Sequence, residues 1–277
     1  MTLSSPTAPW SLHGKTALIT GGSRGIGRAT AIHLARKGVQ RVAITYVRDL
    51  ASAESALAEI RKEGSVKTAI AIQADLLNPT VGPDLIAATL SGLATATIDI
   101  LVNNAAVLDP INTPSVENLT LDNFQDLMQA NCFAPVSIIN ACMPHLPAHG
   151  GGRVINISSG ASKTPNPGTV VTYGASKAAL DSYTRSMACL FATEKKATFN
   201  SVCVGPTETD SFRAVSQLYP KEVIDEMAKG FSAAQRVGVP EDVAYIVGFL
   251  ASEEARWMNG AYVSANGGLK EVLPAIS

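Results

Sequence analysis

A doubly wound parallel α/β sheet of about seven strands, with helices on both faces, is the fold this sequence predicts. Three observations predict it. Apolar, β-rich runs alternate with helix-period segments along the whole chain. Several of those runs are continuous rather than alternating, as strands covered on both faces are. A glycine-rich turn, Gly21 to Gly27, joins the first apolar run to the first helical pattern. The 277 residues are 46% hydrophobic and 16% charged, which supplies a sizeable core and argues against disorder.

The expected strands are Thr16–Thr20, Arg41–Tyr46, Val66–Gln73, Ile98–Asn103, Arg153–Ile157, Thr198–Val204 and Ala261–Ser264. Helical periodicity covers Ile26–Lys37, Ala51–Glu63, Val81–Leu93, Leu121–Leu146, Tyr173–Glu194 and Glu241–Ala251. Such alternation builds right-handed βαβ units. No internal linker divides the chain, so residues 1–277 read as one domain, with 1–12 as an N-terminal extension. Between 207 and 238 the alternation breaks. Short helical patterns at Phe212–Leu218 and Lys221–Gly230 read as a lid on the ligand edge of the sheet.

Composition excludes several function classes. A formal charge of −1 gives no electrostatic case for nucleic acid or an anionic membrane. No apolar run approaches the roughly 20 residues that span a bilayer. Met1 to His13 lacks a secretory signal pattern, and a cytoplasmic location is expected. Cys132, Cys142, Cys189 and Cys203 are far apart and read as reduced thiols. With His13, His33, His145 and His149 equally scattered, no metal site is expected.

The glycine turn has the chemistry of a pyrophosphate cradle. Gly21, Gly25 and Gly27 let the backbone approach the phosphates, and Ser23 and Ile26 lie in the same turn. This is the Rossmann-type arrangement for a dinucleotide, here with Gly-x-x-x-Gly-x-Gly spacing. The second strand ends at Tyr46 without the acid that would accept from ribose hydroxyls and repel a 2′-phosphate. Arg24 and Arg48 flank that point, and guanidiniums bind phosphate with charge-assisted bonds. NADP(H) is therefore the expected cofactor. Asp75, followed by Leu76, is placed either at the adenine edge or as a helix N-cap. Asn103, Asn104, Ala105 and Ala106 close the fourth strand beneath the adenosine ribose.

The chemistry is expected at the other end. Tyr173 and Lys177 share a helix face one turn apart, and the ammonium is expected to lower the phenol's pKa from its reference of about 10. In a reduction the tyrosine would donate a proton to a carbonyl oxygen, while a serine would hold and polarise that oxygen. Ser159 is the preferred serine and Ser158 its competitor. Lys177 and Tyr173 would also meet the nicotinamide ribose. Thr209, with Thr207 competing, could bond the carboxamide just beyond Gly205. Asn131 reads either as a satisfied interior amide or as the holder of a proton-relay water near Lys177.

In order along the chain, Thr-Gly-x-x-x-Gly-x-Gly at 20–27, Asn-Asn-Ala at 103–105, Asn131, Ser159, Tyr173-x-x-x-Lys177 and Asn200 to Thr209 resemble the short-chain dehydrogenase/reductase family. The resemblance runs from about Leu12 to Gly268. It implies a catalytic group of Asn131, Ser159, Tyr173 and Lys177, and a homo-oligomer, tetramer or dimer, built on the two long helices. Three departures stand out. The Ser–Tyr interval is one residue longer than the family's commonest, Val204-Gly205 replaces a Pro-Gly, and Asn266-Gly267-Gly268 replaces an Asp-Gly-Gly. The long interval, Lys195-Lys196 and Trp257-Met258-Asn259-Gly260 are similar to fungal reductases of polyhydroxynaphthalenes and related polyketides. β-Ketoacyl carrier-protein reductases share most of the pattern. The expected activity is NADPH-dependent reduction of a small-molecule ketone, with thioester reduction or a non-redox cyclisation or dehydration as alternatives.

Overall fold

The computed structural model describes residues 8–217, 220–231 and 233–269. The start of the N-terminal extension and the expected helix end at Leu218 lie outside them. Seven strands form one parallel sheet in the order β3-β2-β1-β4-β5-β6-β7. They are β1 Thr16–Ile19, β2 Arg41–Tyr46, β3 Thr68–Gln73, β4 Ile100–Asn103, β5 Gly152–Ser159, β6 Ala197–Val204 and β7 Tyr262–Ala265. Every residue of β1, β4 and β6 is buried. Helices cover both faces of these strands, which is why Ala17–Ile19 and Ile100–Val102 are unbroken apolar runs, although β6 also buries Thr198, Asn200 and Ser201.

One face packs on α1 (Gly25–Arg36), α2 (Leu50–Lys62) and α9 (Pro240–Ala251), through Leu34, Leu57, Ile60, Val247 and Leu250. The other packs on α3 (Val81–Gly92), α5 (Ala134–Cys142) and α6 (Val171–Lys195), through Leu85, Ile138, Ile139 and Met187. Neighbouring strand residues divide between the faces: Leu18 and Leu101 join the second core, Ala17, Ile19 and Val102 the first. Fully burying each such side chain is worth about 1.5–3 kcal/mol relative to exposure.

The chain winds outward from β1 to β3 and then returns to place β4 on the other side of β1. At that reversal the connections leave in opposite directions and open a crevice at the carboxyl edge.

One expected element is different. The helix read over Leu121–Leu146 is divided into α4 (Leu121–Met128), a wide π turn (Gln129–Phe133), α5 and a short 3-10 turn (Met143–His145). Pro135 gives the reason. It has no N–H for the carbonyl four residues back, which is Asn131, and its ring crowds that carbonyl. The turn widens instead, with the Ala134 amide bonding the Gln129 carbonyl. After β6 the chain forms α7 (Asp210–Ser216) and α8 (Lys221–Lys229), within the segment expected to be a lid.

Candidate active site

Three strand ends are tied together around the glycine turn. The Thr20 hydroxyl accepts from the amides of Asn104 and Ala105, both at 2.9 Å. The Asn104 side-chain amide donates back to the carbonyls of Thr20 at 2.8 Å and Gly21 at 3.2 Å. The Gly21 amide donates to Thr45 Oγ1 at 2.9 Å. Asn104 thus spends its side chain holding β1 and β4 together, while Ala106 is exposed beyond it.

The turn needs its glycines for two reasons. Gly21 and Gly25 lie at φ +64° and +53°, the left-handed region that favours glycine. A Cβ on Gly27 would sit 2.2 Å from the Gly21 carbonyl oxygen and 2.6 Å from Asn104 Nδ2. The resulting cradle opens on the N-terminus of α1, where Arg24 caps without a side-chain bond and the first turn holds no acid. Free amides, a positive helix end and no negative charge fit a dinucleotide pyrophosphate. Ser23 is buried in the turn and Ile26 packs against the core below it.

At the end of β2, Tyr46 is half-buried and Arg24 and Arg48 are both exposed. Asp49, overlooked in the sequence, follows Arg48. Its carboxylate caps α2, accepting from Ser52 N at 2.9 Å and Ser52 Oγ at 2.5 Å. These bonds to Ser52, aided by Arg24, hold Asp49 below the usual carboxylate range. With Asp49 turned to capping its own helix, Arg24 and Arg48 are the exposed cations of this corner. Asp75 is exposed and accepts from the Leu77 amide at 3.0 Å. It is not the N-cap of α3, which is Thr80, because α3 begins at Val81. Leu76 is buried, and its carbonyl accepts from Gln129 Nε2.

The segment after β6 reaches the same cradle through Thr209. A Cβ on Gly25 would lie 3.1 Å from Thr209 Cγ2, and the Thr209 hydroxyl accepts from Phe212 N at 3.2 Å. Thr207 is buried, with its hydroxyl on the Gly205 carbonyl at 2.9 Å. Gly205 itself packs on Asn266, whose Cα would be 3.0 Å from an added Cβ.

Ser159 is the last residue of β5, and Tyr173 lies in the first turn of α6. Their hydroxyls interact, and Ser159 Oγ also accepts from Ala161 N at 3.2 Å. Ser158 is buried at 2% exposure with its hydroxyl on the interior side. Ser159 is therefore the serine at the open edge. Tyr262, on β7, supports it from behind: its hydroxyl donates to the Ser159 carbonyl at 3.0 Å and meets Ser162 Oγ at 2.9 Å. No local pattern pointed to Tyr262, since it lies 103 residues from Ser159.

Lys177 is buried beneath the pair, with Nζ donating to the Ile157 carbonyl at 2.9 Å and lying 5.8 Å from the centre of the Tyr173 ring. Its titration corrects one expectation. The Tyr173 phenol is pushed up to about 12 by burial, with hydrogen bonding from Ser159 pulling it back, rather than lowered by the lysine. Desolvation of the phenolate at this site sets the direction of the shift. Burial also lowers Lys177, to about 8, against the opposing charge of Asp181.

Asn131 occupies the π turn with its amide paired to the Val107 backbone. Oδ1 accepts from Val107 N and Nδ2 donates to Val107 O, both at 2.8 Å. This pairing clamps the loop leaving β4. Among the described residues no group of His, Cys, Asp and Glu side chains could hold a metal ion, and no helix is long and apolar enough to cross a membrane.

Comparison with known proteins extends this picture. A family profile described as enoyl-(acyl carrier protein) reductase matches residues 21–270. The short chain dehydrogenase penD of Penicillium thymicola is 82% identical over 98% of this chain and 97% of its own. Versicolorin reductase 1 of Aspergillus parasiticus is 34% identical over 93% and 97%. The angucycline C-6 ketoreductase LanV, solved with NADP bound, superposes with a TM-score of 0.81 at 35% identity, covering 94% of this chain and 96% of its own. With the seven-stranded Rossmann-type sheet and the ordered motifs, these likenesses mean that the chain belongs to the short-chain dehydrogenase/reductase family.

Proposed function

We propose that this protein reduces the ketone of an apolar, aromatic or polyketide-like small molecule, using NADPH. The observation that carries the reading is the hydroxyl pair of Ser159 and Tyr173 over the buried Lys177 ammonium, at the sheet edge that also bears the glycine cradle. Gly21, Gly25 and Gly27 with the α1 N-terminus would hold the pyrophosphate, and Arg24 and Arg48 the 2′-phosphate. The bound dinucleotide supplies the hydride. Ser159 would hold the carbonyl oxygen, and Tyr173 would give that oxygen its proton as the carbon is reduced, leaving an alcohol. A phenol pushed up to about 12 stays protonated at neutral pH, the form a donor needs. The ammonium of Lys177 then stabilises the phenolate left behind, until solvent reprotonates it. NADP-bound LanV and versicolorin reductase 1 support both the cofactor and the substrate class.

The lid favours a free substrate over one carried on a protein. Arg213 pairs with Asp210 and Glu208, Lys221 with Asp225 and Lys229 with Glu226. A carrier protein, being acidic, would want such cations unpaired. Residues 207–238 would instead form an apolar cover over the substrate, with Val223 half exposed on α8. The test is NADPH oxidation against polycyclic aromatic ketones, quinones, simple aryl ketones and β-ketoacyl thioesters. Turnover confined to the thioesters would reverse the substrate assignment.

Two further outcomes are expected. Arg48→Ala should weaken NADPH by about tenfold to a hundredfold, the value of a hydrogen bond to a charged group, and leave NADH nearly unchanged. Equal losses, measured by fluorescence titration, would remove Arg48 from phosphate recognition. A homo-oligomer is the second. An apolar groove of about 610 Å³ lies on α4, the π turn and α6, lined by Phe124, Met128, Phe133, Val136 and Tyr183 but by neither Ser159 nor Tyr173. Phe133 and Tyr183 are 50% and 49% exposed there, and Leu190 on α6 is 68% exposed. A second copy of the chain would cover this face. Sedimentation should give a dimer or tetramer, and Phe133→Glu should give single chains; a wild-type monomer would contradict it.

A further inference from the structure

The face of α6 that carries Tyr173 and Lys177 continues, at the same four-residue interval, to Asp181. Asp181 is 2% exposed, as buried as Lys177. Several polar groups around it are satisfied. Asn156 Nδ2 donates to Thr184 Oγ1 at 2.8 Å, Ser201 Oγ donates to Thr184 Oγ1 at 3.2 Å, and Lys177 Nζ donates to the Ile157 carbonyl. Asp181 is the exception. Among the described residues neither carboxyl oxygen has a partner in hydrogen-bonding geometry, and Ser158 Oγ beside it has none either. Burial pushes the Asp181 carboxyl above the ordinary carboxylate range, and the nearby hydroxyls of Ser158, Ser162 and Ser201, which make no well-formed bonds to it, pull it back toward the charged form.

A buried carboxyl left in this condition is costly, and buried acids of this kind are neutral unless a cation faces them. Two cations do. Lys177 lies one turn toward the site on the same helix and feels the Asp181 charge, and Lys163, in the segment after β5, draws the carboxyl toward its charged form. The remaining titratable neighbours are Cys132 on the π turn, which faces Lys177, and Cys203 on β6 with Tyr262 on β7, which face Asp181. Neither thiol nor phenol competes as a charge, since burial raises all three. Asp181 is thus the negative group whose charge acts on the Lys177 ammonium, while Nζ itself bonds the Ile157 carbonyl.

We propose that Asp181 is a positioning residue for Lys177: a buried carboxylate one helical turn behind the ammonium that keeps it charged beneath Ser159 and Tyr173. The site then extends inward as Tyr-x-x-x-Lys-x-x-x-Asp. Burial works against the ammonium, lowering Lys177 to about 8, and the Asp181 charge opposes that fall. The sign follows. Lys177 is needed in its protonated form, so reductase activity is lost as pH rises through the Lys177 pKa. Without the Asp181 charge that loss moves to lower pH. This rests on the proposed role of Lys177 in ketone reduction, and the test separates the two.

The experiment compares wild type, Asp181→Asn, Asp181→Ser and Lys177→Met, with thermal unfolding followed for each. The ε-carbon resonance of Lys177, assigned as the lysine signal missing from Lys177→Met, is titrated in ¹³C-labelled protein. Its midpoint should lie near 8 in wild type and about one unit or more lower in whichever neutral variant folds. The basic limb of the pH profile of kcat for ketone reduction should move by the same amount, with KM for NADPH little changed. An unchanged Lys177 midpoint in Asp181→Asn or Asp181→Ser would overturn the proposal. If neither variant folded, Asp181 would be assigned to structure alone and the proposal would equally fall. Full activity in Lys177→Met would instead overturn the reductase mechanism, whatever the Asp181 variants did.

Discussion

Tyr173→Phe is expected to lower kcat for ketone reduction by about a hundredfold to ten-thousandfold, the usual contribution of a positioned general acid. The substitution removes one oxygen from a half-buried ring in the first turn of α6 and leaves its packing intact. NADPH affinity should change little, because the glycine cradle and the two arginines lie elsewhere on the edge. Ser159 would lose its hydroxyl partner but keep the Ala161 amide and the Tyr262 support behind its carbonyl. A fall in kcat with cofactor binding retained is the signature of an interaction made in the transition state. Near-normal turnover by Tyr173→Phe would end the assignment of this phenol as proton donor.

Gly27→Ala should disable the other half of the site. The added methyl would sit 2.2 Å from the Gly21 carbonyl oxygen and 2.8 Å from its carbon, both backbone atoms of the turn itself. Neither is the end of a side chain that can swing away, so the turn and α1 must separate. Overpacking of this kind costs about 1–3 kcal/mol of stability. The larger loss falls on function, because the displaced Gly21 also holds Thr45 and Asn104. Wild-type protein should gain thermal stability on adding NADPH, as any ligand bound only to the folded state confers. In Gly27→Ala that gain should vanish. A variant that kept the full NADPH-induced shift in Tm would show that the cradle is not where the pyrophosphate rests.

Much of the architecture was legible because buried parallel strands write themselves as unbroken apolar runs, as Ala17–Ile19 and Ile100–Val102 do. Strand ends moved by a residue or two, and the extension of β5 to Ser159 put the serine on the last residue of its strand. The Tyr173–Lys177 pairing was legible from helix period alone. Its electrostatics were not, because spacing reports adjacency whereas the direction of a pKa shift depends on burial by other elements. The π turn had a signal in Pro135, whose missing amide falls on Asn131, but the apolar periodicity across it reads as one helix. The pairing of Asn131 was not legible because its partner, Val107, lies 24 residues upstream on another element. Tyr262 had no local mark at all. Asp181 did: it stands one further turn along the Tyr-Lys face, and only its burial gives that position meaning.

The most direct test follows deuterium. Wild-type protein is given NADPH labelled at the transferable C4 hydrogen, with the best ketone of the aromatic panel, and the product is examined by mass spectrometry and NMR. Ketone reduction predicts one deuterium on the new carbinol carbon, one NADP formed per product, and no label acquired when Tyr173→Phe replaces the wild type at matched times. Product formed without NADPH consumption, or carrying no deuterium at carbon, would contradict the account and assign the site to non-redox chemistry.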